Sequence, residues 1–348
     1  MERDRLVVVL LGFLCLVALG IVLKAAQNVI VPFVIAWMLS YVLGPAIKFM
    51  VRRRVPTPVA VMVVVLVLLG VCYLGGAFLY ARGKAVYDQS GVAAERLENI
   101  IGEFAARFNL PKVQLADVEW GAYLQTIVSR LSGPFMSFVS FVSNLMMVFI
   151  FLVFLLLGRP YSEYKIKKAF SSEQASQITG IVGSISHQIS GYLIIQSLIS
   201  LVTGILVWLA LTIIGLDFAV TWGAVAFLLN FIPSVGSIIA SILPVLWAVV
   251  QFYPNPWPVV ACAVCLLTIQ MLIGNVLAPK IMGDRLDLSP VVILVALLLW
   301  GWLWGPVGAV LSVPIACIVK IICANIEALR PISVMMGSGR QYVKEFET

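Results

Sequence analysis

The chain runs to 348 residues, of which 62% are hydrophobic and only 11% charged, with a mean hydropathy of +1.07. Those proportions exclude a water-soluble globule, and apolar runs of about 20 residues match a hydrocarbon core of ~30 Å. The net charge of +7 sits at the ends of apolar runs and not in aromatic-interleaved patches, so the expected partner is the lipid bilayer and not nucleic acid.

In chain order, spans are predicted at 6–23, 29–47, 59–80, 135–157 and 190–214. Arg3 and Arg5 precede the first run, whose length favours a retained span over a cleaved signal peptide. Two further stretches, 218–252 and 288–322, are apolar but interrupted by proline and glycine, with an intact span at 257–277 between them. Placing the N-terminus in the cytoplasm puts the basic loops on that side. These carry Lys48, Arg52, Arg53 and Arg54, then Arg159, Lys165, Lys167 and Lys168, then "PKIMGDR" at 279–285, then a tail with Lys320, Arg330 and Arg340. If the span between them crosses, the two broken stretches enter from opposite faces, an inverted arrangement that marks the substrate path in many transporters.

Two excursions leave the membrane. Residues 83–132 fall outside the cytoplasm and put Leu97, Ile100, Ile101, Phe104 and Phe108 on one helical face, with Trp120, Leu124, Ile127 and Leu131 on a second. The reading favours a subunit contact for these faces, hence a homo-oligomer, over a helix lying on lipid. The shorter excursion, 159–187, is read as a cytoplasmic coupling or surface helix.

Enzyme chemistry finds no support. The one histidine, His187, has no nucleophile or metal-binding companion, and no HExxH, GxSxG or phosphate-binding glycine loop occurs. No metal and no cofactor is expected. The six cysteines, including "CAVC" at 262–265, read as thiols packed like small hydrophobes. Asp217, Asp284, Asp287 and Glu327 lie at span boundaries, and no carboxylate falls mid-span. Ion exchange is thereby weakened, with Asp217 kept as the candidate for ion coupling.

What remains at membrane depth is neutral. Ser186, Ser190, Ser197, Ser200 and Gly204 form a stripe that suits either helix packing or a pathway, while Gln270 and Asn275 lean towards a pathway. In "NFIPSVGSIIASILP", Pro233 removes a backbone donor, Gly236 permits a tight bend, and Asn230, Ser234 and Ser237 can bond the freed backbone before Pro244. "GPVGAVLSVP" echoes it with Gly305, Pro306, Gly308 and Pro314. A simple proline kink is the alternative to a full break.

Several stretches taken together resemble the autoinducer-2 exporter family of bacterial membrane proteins. They are "VPFVIAWMLSYVLGP" with Pro32, Ala36 and Pro45, then "NFIPSVG", then "NVLAPKIMG" with Asn275, Pro279 and Gly283, then "LSP" at 288–290, then "WGWLWGPVGAVLSVP". The resemblance implies a transporter of small solutes, with autoinducer-2 export as the type function and homo-oligomerisation. Some relatives are described as sodium/proton antiporters. Two positions depart from the pattern: Gly44 where Asn is frequent, and Ala278 where a polar residue or Glu is frequent.

The expected fold is therefore an all-α polytopic membrane protein of about six firm spans plus two proline/glycine-broken hairpins in inverted orientation, with an extracytoplasmic amphipathic excursion. Its divisions are 1–82, 83–134, 135–158, 159–189, a transport core at 190–326, and a cytoplasmic tail at 327–348. The expected location is the bacterial inner membrane with both termini cytoplasmic. The expected activity is export of a small neutral polar solute, autoinducer-2, with the breaks facing each other across the path. A sodium/proton antiporter and a non-transporting scaffold are the alternatives.

Overall fold

The computed structural model describes residues 2–107, 138–282 and 287–339. Every regular element among them is helical: α1 (Glu2–Ala25), α2 (Gln27–Arg52), α3 (Thr57–Arg107), α4 (Phe138–Ala169), α5 (Ser172–Ile214), α6 (Ala219–Leu229), α7 (Val235–Phe252), α8 (Pro256–Met271), a π-helical turn (Leu272–Leu277), α9 (Ala278–Met282), α10 (Pro290–Asn325), a short 3-10 turn (Glu327–Leu329) and α11 (Arg330–Met336). Six of these helices are long and apolar enough to cross a membrane. The chain is thus an all-α polytopic membrane protein. It divides into two compact units, one from 1–65, 144–194 and 284–348, the other from 66–143 and 195–283.

In the first unit, α2 and α4 run parallel: Phe33 meets Phe151 edge-on at 5.5 Å between ring centroids, and Ser40 meets Arg159. The segment 159–187 is not a separate surface helix. It consists of the ends of α4 and α5, which continue unbroken to a turn at Phe170 and Ser171. α10 packs against both α1 and α2. Gly305, at φ 64° and ψ −146°, divides α10 into two arms. The arms are antiparallel, because a Cβ on Gly308 would strike the Trp300 carbonyl, a Cβ on Gly301 would lie 3.8 Å from the Ala309 Cβ, and Lys320 reaches back to Asp287. An uninterrupted helix would hold residues 300 and 308 about 12 Å apart, so the break is a chain reversal and not a kink.

This hairpin is long. At its tip, Trp304 Nε1 donates to the Leu23 carbonyl at 3.2 Å, and the Lys24 ammonium sits 4.2 Å from the Trp302 ring centroid. The tip is therefore level with the α1–α2 corner, and the arms of roughly 22 and 30 Å run the length of the neighbouring spans. At its mouth, the Lys320 ammonium donates to the Asp287 carbonyl and to Oδ2 at 2.7 Å. Ser338 donates through its peptide N–H and its hydroxyl to Oδ1, and the Ser289 N–H to the Met336 carbonyl at 2.9 Å. The segment after α10 is thus strapped across the mouth.

In the second unit the α6–α7 hairpin is antiparallel as well. A Cβ on Gly236 would strike the Leu229 carbonyl, Phe218 packs on Trp247 at 5.5 Å, and Gln251 spans the mouth. α6 has 11 residues, about 16 Å, and cannot cross a ~30 Å core. Gly204 and Gly223 let α5 and α6 approach closely; a Cβ on Gly204 would lie 2.8 Å from the Gly223 carbonyl oxygen. That is small-residue helix packing. Val207, Leu211, Leu216, Trp222, Ala226 and Ala240 form the core against α8 residues Cys262 and Leu266.

Two expectations need correction. The 257–277 span is not regular, because its last turn widens to π geometry, with Ala278 N–H bonded to the Ile273 carbonyl. Pro279 supplies no N–H for the Asn275 carbonyl, and a π turn accommodates that gap. The 83–132 excursion does not begin with a new helix either: α3 continues from its span to Arg107 without a break. Phe108, Trp120, Leu124, Ile127, Leu131, Asp284 and Arg340 lie outside the described residues.

Two outcomes follow. Gly236→Ala and Gly308→Ala each force a side chain into a backbone carbonyl and should cost about 1–3 kcal/mol or more, whereas Gly274→Ala, with open space around it, should be neutral. Thermal unfolding in detergent compares the three. Asp287 loses hydration on burial, which raises its pKa, but the hydrogen bonds from Lys320 and Ser338 and the Lys320 charge outweigh that and hold it below 3.8. A depressed carboxylate pKa stabilises the strap above the unfolded value and loses that stabilisation as pH falls through the folded one. Protection of the Ser338 amide in hydrogen exchange should therefore persist through neutral and mildly acidic pH and fade only below 3.8; Asp287→Asn should remove it at neutral pH.

Candidate functional site

The first break is built from Asn230 outward. Asn230 ends α6, its Nδ2 donates to Ser200 Oγ at 3.0 Å, and its carbonyl accepts from Gln196 Nε2 at 2.6 Å. Ser200 is wholly buried. Asn230 thereby ties the hairpin tip to α5. Ser200 belonged to the predicted serine stripe, but Gln196 carried no sequence signal. Pro233 interrupts the ladder, and Ser234 takes φ 58° and ψ −54° at the start of α7. Its carbonyl accepts from Ser237 Oγ at 2.8 Å, and Ser237 in turn accepts through its carbonyl from Ser241. Ser234 is exposed, Gly236 is buried, and Pro244 is buried within α7.

Higher on α6 lie two polar atoms that sequence reasoning missed. Thr221 Oγ1 and Trp222 Nε1 are buried and have no hydrogen-bond partner among the described residues. An indole N–H can only donate, so it meets an acceptor from a water or a solute or bears the cost of desolvation. At the mouth, Gln251 Oε1 accepts from the Asp217 N–H at 2.8 Å and its Nε2 donates to the Gly215 carbonyl at 2.9 Å. Asp217 is exposed and is held by its peptide N–H.

Gln270 is half-buried, and Asn275 is exposed on the π turn with its Nδ2 3.2 Å from Met271 Sδ. No hydrogen bond among the described residues joins either amide to the break at 230–236. Gly305, Pro306, Gly308 and Pro314 come together in the other unit, around the second hairpin: Gly305 and Pro306 at the reversal, Gly308 against Trp300, and Pro314 buried in the second arm.

The strongest departure from expectation is Arg159. Its sequence neighbours place it with the basic loop, yet Nη1 donates to the Ser40 carbonyl at 2.9 Å and Nη2 to Ser186 Oγ at 3.1 Å. Its guanidinium carbon lies 5.4 Å from the Tyr41 ring centroid. Ser40 stands about 12 Å along α2 from Lys48, and Arg159 about 9 Å along α4 from Lys165. The guanidinium thus lies about 9–12 Å along the helices from those lysines, with Arg159 itself at the end of the apolar stretch Leu145–Arg159.

A sequence profile of the AI-2E family transporter family matches residues 11–328. The chain belongs to the AI-2E transporter family. Over 93% of its length it is 36% identical to a "Putative transport protein" of Borreliella burgdorferi, covering 90% of that protein. It is 31% identical to the "AI-2 transport protein TqsA" of Escherichia coli, with 95% of each chain covered, and 30% identical to the "Putative transport protein YhhT" of the same species at the same coverage. The chain is accordingly a membrane transport protein and not an enzyme.

Within this AI-2E transporter, Gly44 acquires a physical reason. A Cβ there would collide with Arg159 Nη1 and lie 3.1 Å from its guanidinium carbon, so the glycine clears the space the arginine fills. Replacing Asn230 by Ala leaves buried Ser200 without its partner and should cost about 1–3 kcal/mol. A double-mutant cycle with Ser200→Ala, read by thermal unfolding, should return a coupling energy well above zero.

Proposed function

We propose that this AI-2E transporter exports a small, hydroxyl-rich polar solute from the bacterial cytoplasm, and that autoinducer-2 is that solute. The observation that carries the reading is the pair of buried groups without a partner among the described residues, Thr221 Oγ1 and Trp222 Nε1, on a helix that stops short of crossing the membrane. Buried polar groups are retained inside a protein where they meet water or a solute. The E. coli relative named for AI-2 transport supports the choice of solute. In this reading Ser234, Gly236, Ser237 and Pro233 shape the tip of the first hairpin and Gly305, Pro306, Gly308 and Pro314 that of the second. Gln270 and Asn275 lend amides along α8, and Pro244 bends the α7 arm. Asp217, exposed at a mouth, serves as the ion-coupling residue only if export proves sodium- or proton-dependent. Both termini are placed in the cytoplasm of the inner-membrane protein, following the basic belt, and the exposed apolar face of α3, with Leu66, Val67, Val71 and Leu74, is assigned to contacts in a homo-oligomer.

The test is efflux of labelled autoinducer-2 from proteoliposomes. Wild type should release it faster than empty vesicles, and Trp222→Phe, which removes the N–H donor and leaves one aromatic ring in the core, should slow release about tenfold, the equivalent of one hydrogen bond of roughly 1.4 kcal/mol. Equal rates with and without protein would exclude autoinducer-2 as the solute. A rate that follows an imposed sodium or pH gradient, and falls in Asp217→Asn, would favour the antiport reading.

A further inference from the structure

Arg159 is held as a ligand-binding cation would be held. It carries five N–H donors, and two protein oxygens, the Ser40 carbonyl and Ser186 Oγ, take one each. Among the described residues no carboxylate lies within ion-pair reach of it. The contrast is Lys320, the other cation with backbone and side-chain partners in the same unit, which is matched by Asp287. A partly buried guanidinium with no counter-charge among the described residues is costly. A structural clamp alone would do as well with a neutral amide, and would not need its neighbour reduced to Gly44 to make room. The side chain is also only partly buried, so donors remain reachable from the space around it.

Position decides between sources of anion. The guanidinium sits about 9–12 Å along the helices from Lys48 and Lys165, which is too deep for a lipid phosphate held at the level of the basic belt. Tyr41 presents its ring to one side, leaving the remaining fork edge for a planar or tetrahedral oxyanion, the geometry that guanidinium recognises bidentately.

We propose that Arg159, cradled by Gly44, Ser40, Tyr41 and Ser186, is a solute-contacting residue that binds an oxyanion, so that the transported species passes this point as a carboxylate or as a phosphate ester. The inference rests on the transport reading of the chain but not on autoinducer-2 as the solute. Arg159 supplies the positive charge and two or three donors; Ser186 is free to rotate its hydroxyl towards the same oxyanion.

The experiment is differential arginine modification of the purified full-length protein in nanodiscs of neutral lipid. Phenylglyoxal is the reagent, and modification of the Arg159 peptide is followed by mass spectrometry against Arg52 and Arg53, both exposed. Inorganic phosphate at ten times its dissociation constant should slow modification of Arg159 about tenfold and leave Arg52 and Arg53 unchanged, while ribose at the same concentration should have no effect. Equal slowing by ribose, or none by phosphate, would overturn the proposal. So would an Arg159 that no reagent reaches, because no solute would reach it either. Protection by anionic lipid in the absence of phosphate would reassign the site to a headgroup and contradict a solute role. Arg159→Lys, which keeps the charge, should retain phosphate selectivity of transport in proteoliposomes, and Arg159→Gln should lose it. These outcomes do not depend on whether autoinducer-2 itself is released in the efflux assay.

Discussion

Lipid offers no hydrogen bonds, so every backbone group that a broken helix releases must be paired from within the protein. The rest of this structure follows from that constraint. The Asn230 carbonyl, at the first break, is taken by Gln196. Pro45 leaves the Tyr41 carbonyl without its usual donor, and Ser190 Oγ reaches it at 3.3 Å; one residue earlier the Ser40 carbonyl takes Arg159. Side chains from α4 and α5 thereby become joints of the protein: Arg159, Ser190, Gln196 and Ser200.

The same constraint explains the glycines. A reversal keeps backbone carbonyls covered only if the arms close tightly behind the turn, and Gly236 and Gly308 allow the Leu229 and Trp300 carbonyls to be covered by backbone. The two hairpins end on different partners. The second reaches the α1–α2 corner, where Lys24 and three tryptophans gather as interfacial anchors do. The first stops where Ser200 and Gln196 meet it.

Much of this was legible from residue types alone. Proline and glycine act on their own backbone, so both breaks could be read from "IPSVG" and "WGPVG" without knowing any neighbour. Pro279 could likewise have signalled the irregular end of α8. Partners across helices were not legible: nothing in the sequence says that Gln196 faces Asn230, or that Thr221 and Trp222 have no partner among the described residues. Arg159 was misassigned for a specific reason. Sequence adjacency grouped it with Lys165, Lys167 and Lys168, but the parallel register of α2 and α4 brings it against Ser40, and a long side chain leaning towards its helix N-terminus carries the charge farther in. The unusual Gly44 was visible as a departure from the family pattern, and its cause became clear only with Arg159 beside it.

The account stands on chain reversal at the first break, and one measurement addresses it directly. Single cysteines placed at exposed Asp217 and Tyr253, in a background without the native thiols, are labelled in oriented vesicles with a membrane-impermeant maleimide. Reversal within the membrane predicts that both positions react from the same face. Labelling of the two from opposite faces would mean that the segment passes through, and the hairpin, with the pathway built on it, would have to be abandoned.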